Sequence, residues 1–182
     1  MENVLSRTFA QQLRLKENLT LDVIGIVVGS VCVGLGSQFA FYTPWSPVPI
    51  SGQTFAVLLT GAVLGAKRGG LSMALYLAGG VMGLPVFAGG TGGAAVLFGP
   101  SVGYLAGFIP AAMAVGALAE KGFDKRWYTL LAAFAVGQAI IYACGISRLT
   151  AFVDVRQVIK VGVLPFLPGD AIKAGLAMVL LP

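Results

Sequence analysis

Long apolar runs, separated only by short polar connections, dominate this chain. Charged residues make up 10% of the sequence and hydrophobic residues 57%, with a mean hydropathy of +0.89, whereas soluble domains carry about 25% charged residues. Because a spanning helix needs about 20 residues, a chain of 182 residues accommodates about six spans and no sizeable soluble domain. The sequence therefore predicts an all-α, polytopic membrane protein with six transmembrane helices surrounded by membrane lipid.

We predict one membrane domain over residues 1–182, beginning with an interfacial segment at 1–20. In that segment Leu5, Phe9 and Leu13 recur every four residues, which is typical of a short amphipathic helix. The six predicted spans are 21–42, 50–66, 69–87, 101–118, 127–146 and 169–182. The sixth reaches only about 20 Å at the helical rise, against a bilayer core of about 30 Å. Either C-terminal residues are missing or this helix starts deep in the protein.

The basic residues predict the orientation of the chain. With the N-terminus in the cytoplasm, the inner segments hold eight basic residues and the outer segments hold three, as the positive-inside rule requires. The inner residues are Arg7, Arg14, Lys16, Lys67, Arg68, Lys121, Lys125 and Arg126, and the outer ones are Arg148, Arg156 and Lys160. Since topology accounts for the formal charge of +5, we predict no nucleic-acid partner.

Two irregular stretches fall on the predicted outer side. Prolines at positions 44, 47 and 49 forbid a continuous helix in the first. The second is rich in glycine around residues 89–93, and such backbone is tolerated at membrane depth only where protein covers it or it lines a cavity. The glycines would leave room for a ligand, and the alternative is a flexible surface loop. Both stretches can converge with the segment before residue 170 on one pocket open to the outside.

A carboxylate and an ammonium begin the last apolar run. Asp170 and Lys173 stand three residues apart, so a helix places both on one face, where they can reach a single polar group. Burying either charge in hydrocarbon costs several kcal/mol unless it is paired or used. In the alternative interpretation, Asp170 caps the helix and Lys173 extends to the membrane surface.

Several kinds of chemistry lack their residues in this sequence. The chain has no histidine, and Cys32 and Cys144 lack the close spacing of a metal or redox motif. Gly99-Pro100-Ser101-Val102-Gly103 has the spacing of a G-x-S-x-G motif, but the chain offers no histidine as the base that such a serine needs. No phosphate-binding loop occurs. We therefore predict no metal site, no cofactor and no enzyme, and any nucleotide energy must enter through a partner. A membrane enzyme with Asp170 as its base is the least favoured alternative.

The first predicted span carries small residues at four-residue spacing. Gly25 and Gly29, and Ser30 and Gly34, form such pairs, which let a second helix approach closely. The alternative is coincidence, because the chain contains 26 glycines.

Several collinear motifs resemble the signatures of one known family. They are Pro47-Val48-Pro49-Ile50, Gln53-Thr54-Phe55-Ala56-Val57-Leu58-Leu59, Gly61, Leu64-Gly65, Tyr76-Leu77, Gly83-Leu84-Pro85-Val86-Phe87, Gly99-Pro100, Gly103-Tyr104-Leu105, Gly162 and Pro165-Phe166-Leu167-Pro168-Gly169-Asp170 with Lys173. In this order they resemble BioY, the biotin-specific S component of energy-coupling factor (ECF) transporters. The match covers residues 36–173.

The resemblance implies the ECF S-component fold and a role in biotin uptake. Such a subunit captures biotin outside a prokaryotic cell and delivers it inward, with energy from a transmembrane coupling protein (T component) and two cytoplasmic ATPases. ATP is used only by those partners. The function left open as an alternative is an S component or stand-alone carrier for another small nutrient.

The resemblance also carries residue roles. It associates Asp170 and Lys173 with the ligand, and the small-residue face of the first helix, here Gly25, Gly29 and Gly34, with docking of the coupling protein. That face is rich in glycine where S components are expected to carry an alanine-xxx-alanine pattern. Many relatives carry a polar residue in the glycine-rich stretch where this chain has Gly89, Gly90 and Thr91.

The chemistry of biotin fits these residue types. Its ureido group has one carbonyl acceptor and two N–H donors, which complement an ammonium and a carboxylate. Aromatic side chains can wall the apolar rings and chain, and Arg148 or backbone N–H groups can meet the biotin carboxylate. The candidate substrate-binding residues are Asp170, Lys173, Gln53, Phe87, Thr91, Tyr104, Tyr142, Arg148 and Phe166.

Overall fold

A computed structural model describes residues 19–180, and these residues are mainly helical. The α-helices are α1 (Leu19–Gln38), α2 (Gln53–Val81), α3 (Val102–Glu120), α4 (Trp127–Leu149), α5 (Val158–Gly162) and α6 (Leu167–Leu180). A two-residue antiparallel ribbon joins β1 (Ala40–Phe41) to β2 (Ile50–Ser51), and short 3₁₀ turns cover Ala88–Gly90 and Ala94–Phe98. The all-α prediction is confirmed. The predicted interfacial segment lies outside the described residues, except for residues 19 and 20, which begin α1.

Three of the described helices are long and apolar enough to cross a membrane. These are α1, α3 and α4, whose best windows have mean hydropathies of 2.1, 1.8 and 1.8. The outward face of α1 consists of large apolar side chains such as Val23, Val27, Val31 and Leu35, each 45–61% exposed, as expected of a helix that faces lipid. The count of six spans stays a prediction.

The helix α2 is folded back on itself at Gly65. The Gly65 backbone has φ 84° and ψ 178°, a conformation that is essentially restricted to glycine. The Gln53 amide lies 3.0 Å from the Tyr76 hydroxyl, whereas a straight helix would separate these residues by about 35 Å. Near the turn, a Cβ placed on Gly69 would lie 3.0 Å from the Gly61 Cα. The range is therefore a hairpin of two antiparallel helices, 53–64 and 66–81, which correspond in position to the predicted spans 50–66 and 69–87.

Glycines of α1 pack against this hairpin. A Cβ placed on Gly29 would lie 2.7 Å from both Ser72 Oγ and Thr60 Cγ2. Gly34 is also buried, and its Cβ would meet Val86 at 3.6 Å, while that of Gly25 would meet Leu64 at 3.4 Å. The chain's own hairpin therefore lies against this face, and the partner-docking role of Gly25, Gly29 and Gly34 stays a prediction that these contacts do not support. Both faces of α1 are apolar, so the sequence alone does not tell which one turns inward.

The helix α3 lies at the centre of the molecule, between the hairpin and α4. It approaches the hairpin closely, since a Cβ placed on Gly61 would lie 2.5 Å from the Ala112 carbonyl oxygen. Phe108, Ala111, Val115 and Ile141 are 0–2% exposed. Small residues at the crossings let the helices pack with little space between them.

The predicted spans differ from the helices mainly at their ends. The first was predicted to reach residue 42, but α1 ends at Gln38 because the chain enters the β1–β2 ribbon. The third was predicted to reach residue 87, but the helix ends at Val81, shortly before Gly83 with φ 106° and Pro85. The fifth was predicted to end at 146, and α4 continues to Leu149.

Candidate substrate-binding site

A cavity of about 220 Å³ lies where the proline-containing loop, the glycine-rich loop and the helices meet. It is enclosed by segments far apart in sequence, with Pro47 and Pro49 on one side and Ala88 and Thr91 on another. Its other lining residues include Gln53, Thr54, Phe87, Ser101, Tyr104, Phe108, Gln138, Tyr142, Phe166 and Lys173. The proline-containing stretch, the glycine-rich stretch and the segment before residue 170, which contributes Phe166, therefore do converge on one pocket.

Seven of the nine candidate site residues line this cavity. They are Gln53, Phe87, Thr91, Tyr104, Tyr142, Phe166 and Lys173. Asp170 lies behind Lys173, where it lines a second cavity of about 200 Å³ that shares Thr54, Gln138 and Lys173 with the first. Of the two charged residues that the sequence places on one helix face, only Lys173 lines the main cavity, whereas both line the second cavity.

Arg148 is not among the residues that line either cavity. It is exposed near the end of α4, with its guanidinium carbon 5.3 Å from the centre of the Phe152 ring. The geometry therefore gives no support to Arg148 as the group that meets a ligand carboxylate. The direction in which a side chain at the end of a helix extends could not be derived from the sequence pattern.

A hydrogen-bonded network joins Asp170 and Lys173 to the neighbouring helices. Lys173 Nζ lies 3.3 Å from Asp170 Oδ1 and donates to Thr54 Oγ1 at 2.8 Å. Tyr142 donates its hydroxyl proton to Asp170 Oδ2. Both charged side chains are largely buried, with exposed fractions of 17% and 18%, as a paired charge inside a membrane protein requires. This network links the first turn of α6 to α2 and α4.

The same contacts decide between the two interpretations of this pair. Within the described part of the chain, the Asp170 carboxylate binds the side chains of Lys173 and Tyr142 and not the backbone N–H groups that a helix cap would bind. Lys173 points into the protein towards Thr54. The geometry therefore favours a polar site over the cap-and-surface interpretation.

Aromatic rings form the apolar wall of the cavity. Phe87 is 3% exposed and Phe166 7%. The Phe166 ring lies 6.1 Å from that of Tyr104 and 6.3 Å from that of Tyr142, between ring centres. Tyr104 is held in place because its hydroxyl donates to the Gly162 carbonyl at 2.9 Å. Such a wall suits a ligand with an apolar body.

The glycine-rich loop is tied to the rest of the protein by backbone hydrogen bonds. Phe87 N donates to Thr91 O at 2.9 Å, and Gly93 N donates to Gly80 O at 2.7 Å. The Tyr42 hydroxyl donates to the Ala88 carbonyl at 3.1 Å, and the Thr91 hydroxyl donates to the same carbonyl at 3.0 Å. These contacts give the loop a defined conformation that presents Phe87 to the cavity, in place of the flexible surface loop that was the alternative.

Sequence reasoning missed several residues of the site. Thr54 receives the Lys173 hydrogen bond, Gln138 lines both cavities, and Tyr76 bonds to Gln53 from behind. The spacing of Gln138 and Tyr142, four residues apart on one helix face, was a usable signal. Tyr76 belongs to one of the motifs that resemble the family, but its position next to Gln53 depends on the hairpin at Gly65 and could not be derived from the sequence. Among the described residues, no group of three or more His, Cys, Asp or Glu could hold a metal ion.

Comparison with known proteins gives a consistent result. The protein-family model described as "BioY family" matches residues 7–182 of this chain. The protein named "Biotin transporter BioY" from Thermotoga maritima is 50% identical over 131 residues, covering 71% of this chain and 76% of that one. The protein of the same name from Rhizobium etli is 34% identical over 166 residues, covering 87% of this chain and 89% of that one.

A solved structure matches as well. It is described as the S-component for biotin from an ECF-type ABC transporter, and it superposes with a TM-score of 0.81 at 27% sequence identity, covering 92% of both chains. The resemblance inferred from the motifs and the predicted S-component fold are thereby confirmed.

Proposed function

The chain belongs to the BioY family, and we propose from this premise that it is the S component that binds biotin for an ECF transporter. It captures biotin from the outside and passes it inward. It acts as a transport subunit and catalyses no reaction of its own. The observation that carries the proposal is a cavity with aromatic walls and one ammonium at its polar end, provided by Lys173.

The polar groups of the cavity complement the ureido ring of biotin. The Lys173 ammonium donates to the ureido carbonyl, as a charged donor to a strong acceptor. Asp170 stands behind it, and by holding both Lys173 and Tyr142 it fixes the positions of groups that face the ligand. This assignment differs from a symmetrical clamp, in which both charges touch the ligand. Phe87, Tyr104 and Phe166 cover the fused rings and the aliphatic chain.

The remaining parts of the transport system are outside this chain. A transmembrane coupling protein and two cytoplasmic ATPases supply the energy, so ATP is bound by those subunits and this chain needs no resident cofactor. The chain crosses the plasma membrane of a prokaryote several times, with its N-terminus in the cytoplasm and the cavity open to the outside. The distribution of basic residues supports this orientation.

Calorimetric titration of biotin into the detergent-purified chain, with no nucleotide present, tests the proposed function. We expect saturable one-to-one binding that Lys173→Ala weakens strongly and Tyr128→Phe leaves unchanged, since Tyr128 lies at the start of α4 and lines neither cavity. Folded protein that binds no biotin would contradict the proposal. Tighter binding of another small nutrient in competition would transfer the function to that nutrient.

A further inference from the structure

A buried polar pair connects the cavity to the second half of the α2 hairpin. Gln53 lines the cavity and is 6% exposed, and Tyr76 is 1% exposed. The Gln53 Nε2 atom and the Tyr76 hydroxyl oxygen are 3.0 Å apart. Because a buried polar group without a hydrogen bond is destabilising, each member of this pair constrains the position of the other.

The number of donors decides which way the Gln53 amide points. Tyr76 has one hydroxyl proton, and its oxygen also lies 3.0 Å from the Val86 carbonyl oxygen, which can only accept. The proton of Tyr76 therefore goes to Val86, and Tyr76 must accept from Gln53. Only the amide nitrogen can donate. The Gln53 carbonyl oxygen, Oε1, is consequently the end of the amide that turns away from Tyr76.

Tyr76 is held firmly in this arrangement. Its ring packs edge-on against Phe87, with ring centres 5.5 Å apart and an angle of 84° between the planes. The Val86 carbonyl oxygen that receives its proton also lies 2.6 Å from Ser37 Oγ of α1, and the single proton of that hydroxyl is shared with the Gly34 carbonyl, also at 2.6 Å. The orientation of the Gln53 amide is thus determined by groups outside the cavity.

The Gln53 carbonyl oxygen is open to a ligand. No described residue donates a hydrogen bond to it, although Gln53 lines the cavity. The carboxylate of Asp170, in contrast, already accepts from Lys173 and Tyr142 and lines only the second cavity. We infer that Tyr76 is a positioning residue, which holds Gln53 so that its oxygen accepts a hydrogen bond from a ureido N–H while Lys173 donates to the ureido carbonyl.

This inference rests on the proposed function. It predicts that the Tyr76 hydroxyl affects the affinity for biotin more than the affinity for an N-methylated biotin. If Tyr76 becomes phenylalanine, the Gln53 amide loses its fixed partner and can turn its nitrogen towards the ligand. The Gln53 N–H donor then faces the ureido N–H donor, and no hydrogen bond can form between them. Biotin should lose affinity, whereas a biotin methylated on the ureido nitrogen that faces Gln53 has no N–H to lose and should be affected little.

The test is calorimetric titration of biotin and its two mono-N-methyl ureido derivatives into the full chain, its Tyr76→Phe and Gln53→Leu variants and the double variant. We expect Tyr76→Phe to weaken biotin binding about tenfold, as the loss of one hydrogen bond does. Binding of one methyl derivative should change less, so the ratio of its dissociation constant to that of biotin should fall. In the Gln53→Leu background, Tyr76→Phe should cause no further loss, because it acts through the amide.

Ser37→Ala is the matched control. It removes the Ser37 hydroxyl, which lies 2.6 Å from both the Val86 and the Gly34 carbonyl oxygens, but it leaves the Tyr76–Gln53 contact. Any loss of affinity should therefore be equal for all three ligands. Equal losses in Tyr76→Phe, or additive losses in the double variant, would overturn the inference while the biotin function stands. Wild-type protein that binds both methyl derivatives as tightly as biotin would overturn it without any variant. Failure of the wild type to bind biotin would instead remove the proposed function.

Discussion

At the scale of single residues, Asp170 and Lys173 have unequal positions that their spacing does not show. The sequence places both on one helix face, and the structure places only Lys173 in the wall of the main cavity. The difference arises because Tyr142 and Lys173 hold the two carboxylate oxygens from separate sides. In such a charge pair, one group can face the ligand while the other binds neighbouring protein side chains and holds the first in position.

This inequality predicts an order of effects on biotin binding. Lys173→Met keeps the apolar stem and removes the ammonium, so it should weaken binding by roughly 10–100-fold, the range for a hydrogen bond to a charged group. Asp170→Asn keeps the shape and one acceptor, and should weaken binding less. Calorimetry on both variants checks the order, with melting midpoints recorded to exclude unfolding. A larger loss in Asp170→Asn would mean that the carboxylate itself touches the ligand.

At the scale of elements, glycine makes the helix contacts possible. Gly29 lets α1 reach the hairpin at Thr60 and Ser72, and Gly65 lets the two halves of α2 run antiparallel. The ion pair of Arg68 and Asp22, with 2.6 Å between Nη2 and Oδ1, joins α1 to the hairpin near its turn. The hairpin brings Gln53 and Tyr76 together about 18 Å from that turn.

Two glycines of α1 should respond differently to the same substitution. A Cβ on Gly29 would lie 2.7 Å from two hairpin atoms, whereas that on Gly25 would make ordinary contact with Leu64 at 3.4 Å. We expect Gly29→Ala to cost about 1–3 kcal/mol of stability through overpacking, and Gly25→Ala to be neutral or slightly stabilising because alanine favours a helix. Melting of the purified variants in detergent measures both. Two stable variants that fail only to assemble with partner subunits would restore the docking interpretation.

The turn at Gly65 should tolerate no side chain. Its φ of 84° costs other residues about 1–3 kcal/mol, and a Cβ there would also collide with Glu120, whose Oε1 accepts from Ala66 N at 2.9 Å. Because Glu120→Ala removes both the collision and the hydrogen bond from Ala66 N, it is the reference for the double variant. We expect Gly65→Ala to lower the melting midpoint in the wild type and also in the Glu120→Ala background. Gly175→Ala is the control, since a Cβ there meets no described atom within 4 Å. Full recovery in the double variant would show that the collision, not the backbone, sets the cost.

The fold was predictable from the sequence to the extent that apolar length determines helices. The runs that became α1, α3 and α4 were located from composition alone, because nearly every residue in them favours lipid or core. The helix ends depended on local features such as the pairing of Ala40 with Ser51. The roles of Tyr76 and Arg148 could not be predicted, because they depend on side-chain direction and on contacts between distant segments. Phe87 and Thr91 of the glycine-rich loop line the cavity, as expected where irregular backbone within a membrane needs a protein cover or a cavity, and their contact with a ligand stays a prediction.

At the scale of the whole molecule, the cavity and the turn of the hairpin lie at opposite ends. Gln53 and Tyr76 stand at the cavity, while Gly65 and Glu120 meet at the other end, close to the basic connection that follows α3. The positive-inside rule assigns that basic connection to the cytoplasm. On that assignment the cavity is predicted to face outwards, which is the arrangement that the proposed uptake function needs.

Cysteine accessibility in cells tests this orientation. In a background with Cys32→Ser and Cys144→Ser, a membrane-impermeant maleimide should label Trp45→Cys in intact cells, because Trp45 is 64% exposed in the loop beside the cavity. It should label Lys125→Cys, in the exposed connection after α3, only after the membrane is permeabilised. The reverse pattern would place the N-terminus outside, and the cavity would then open to the cytoplasm. Labelling of both positions in intact cells would mean that Trp45 and Lys125 lie on the same side of the membrane. That result would contradict the proposed orientation.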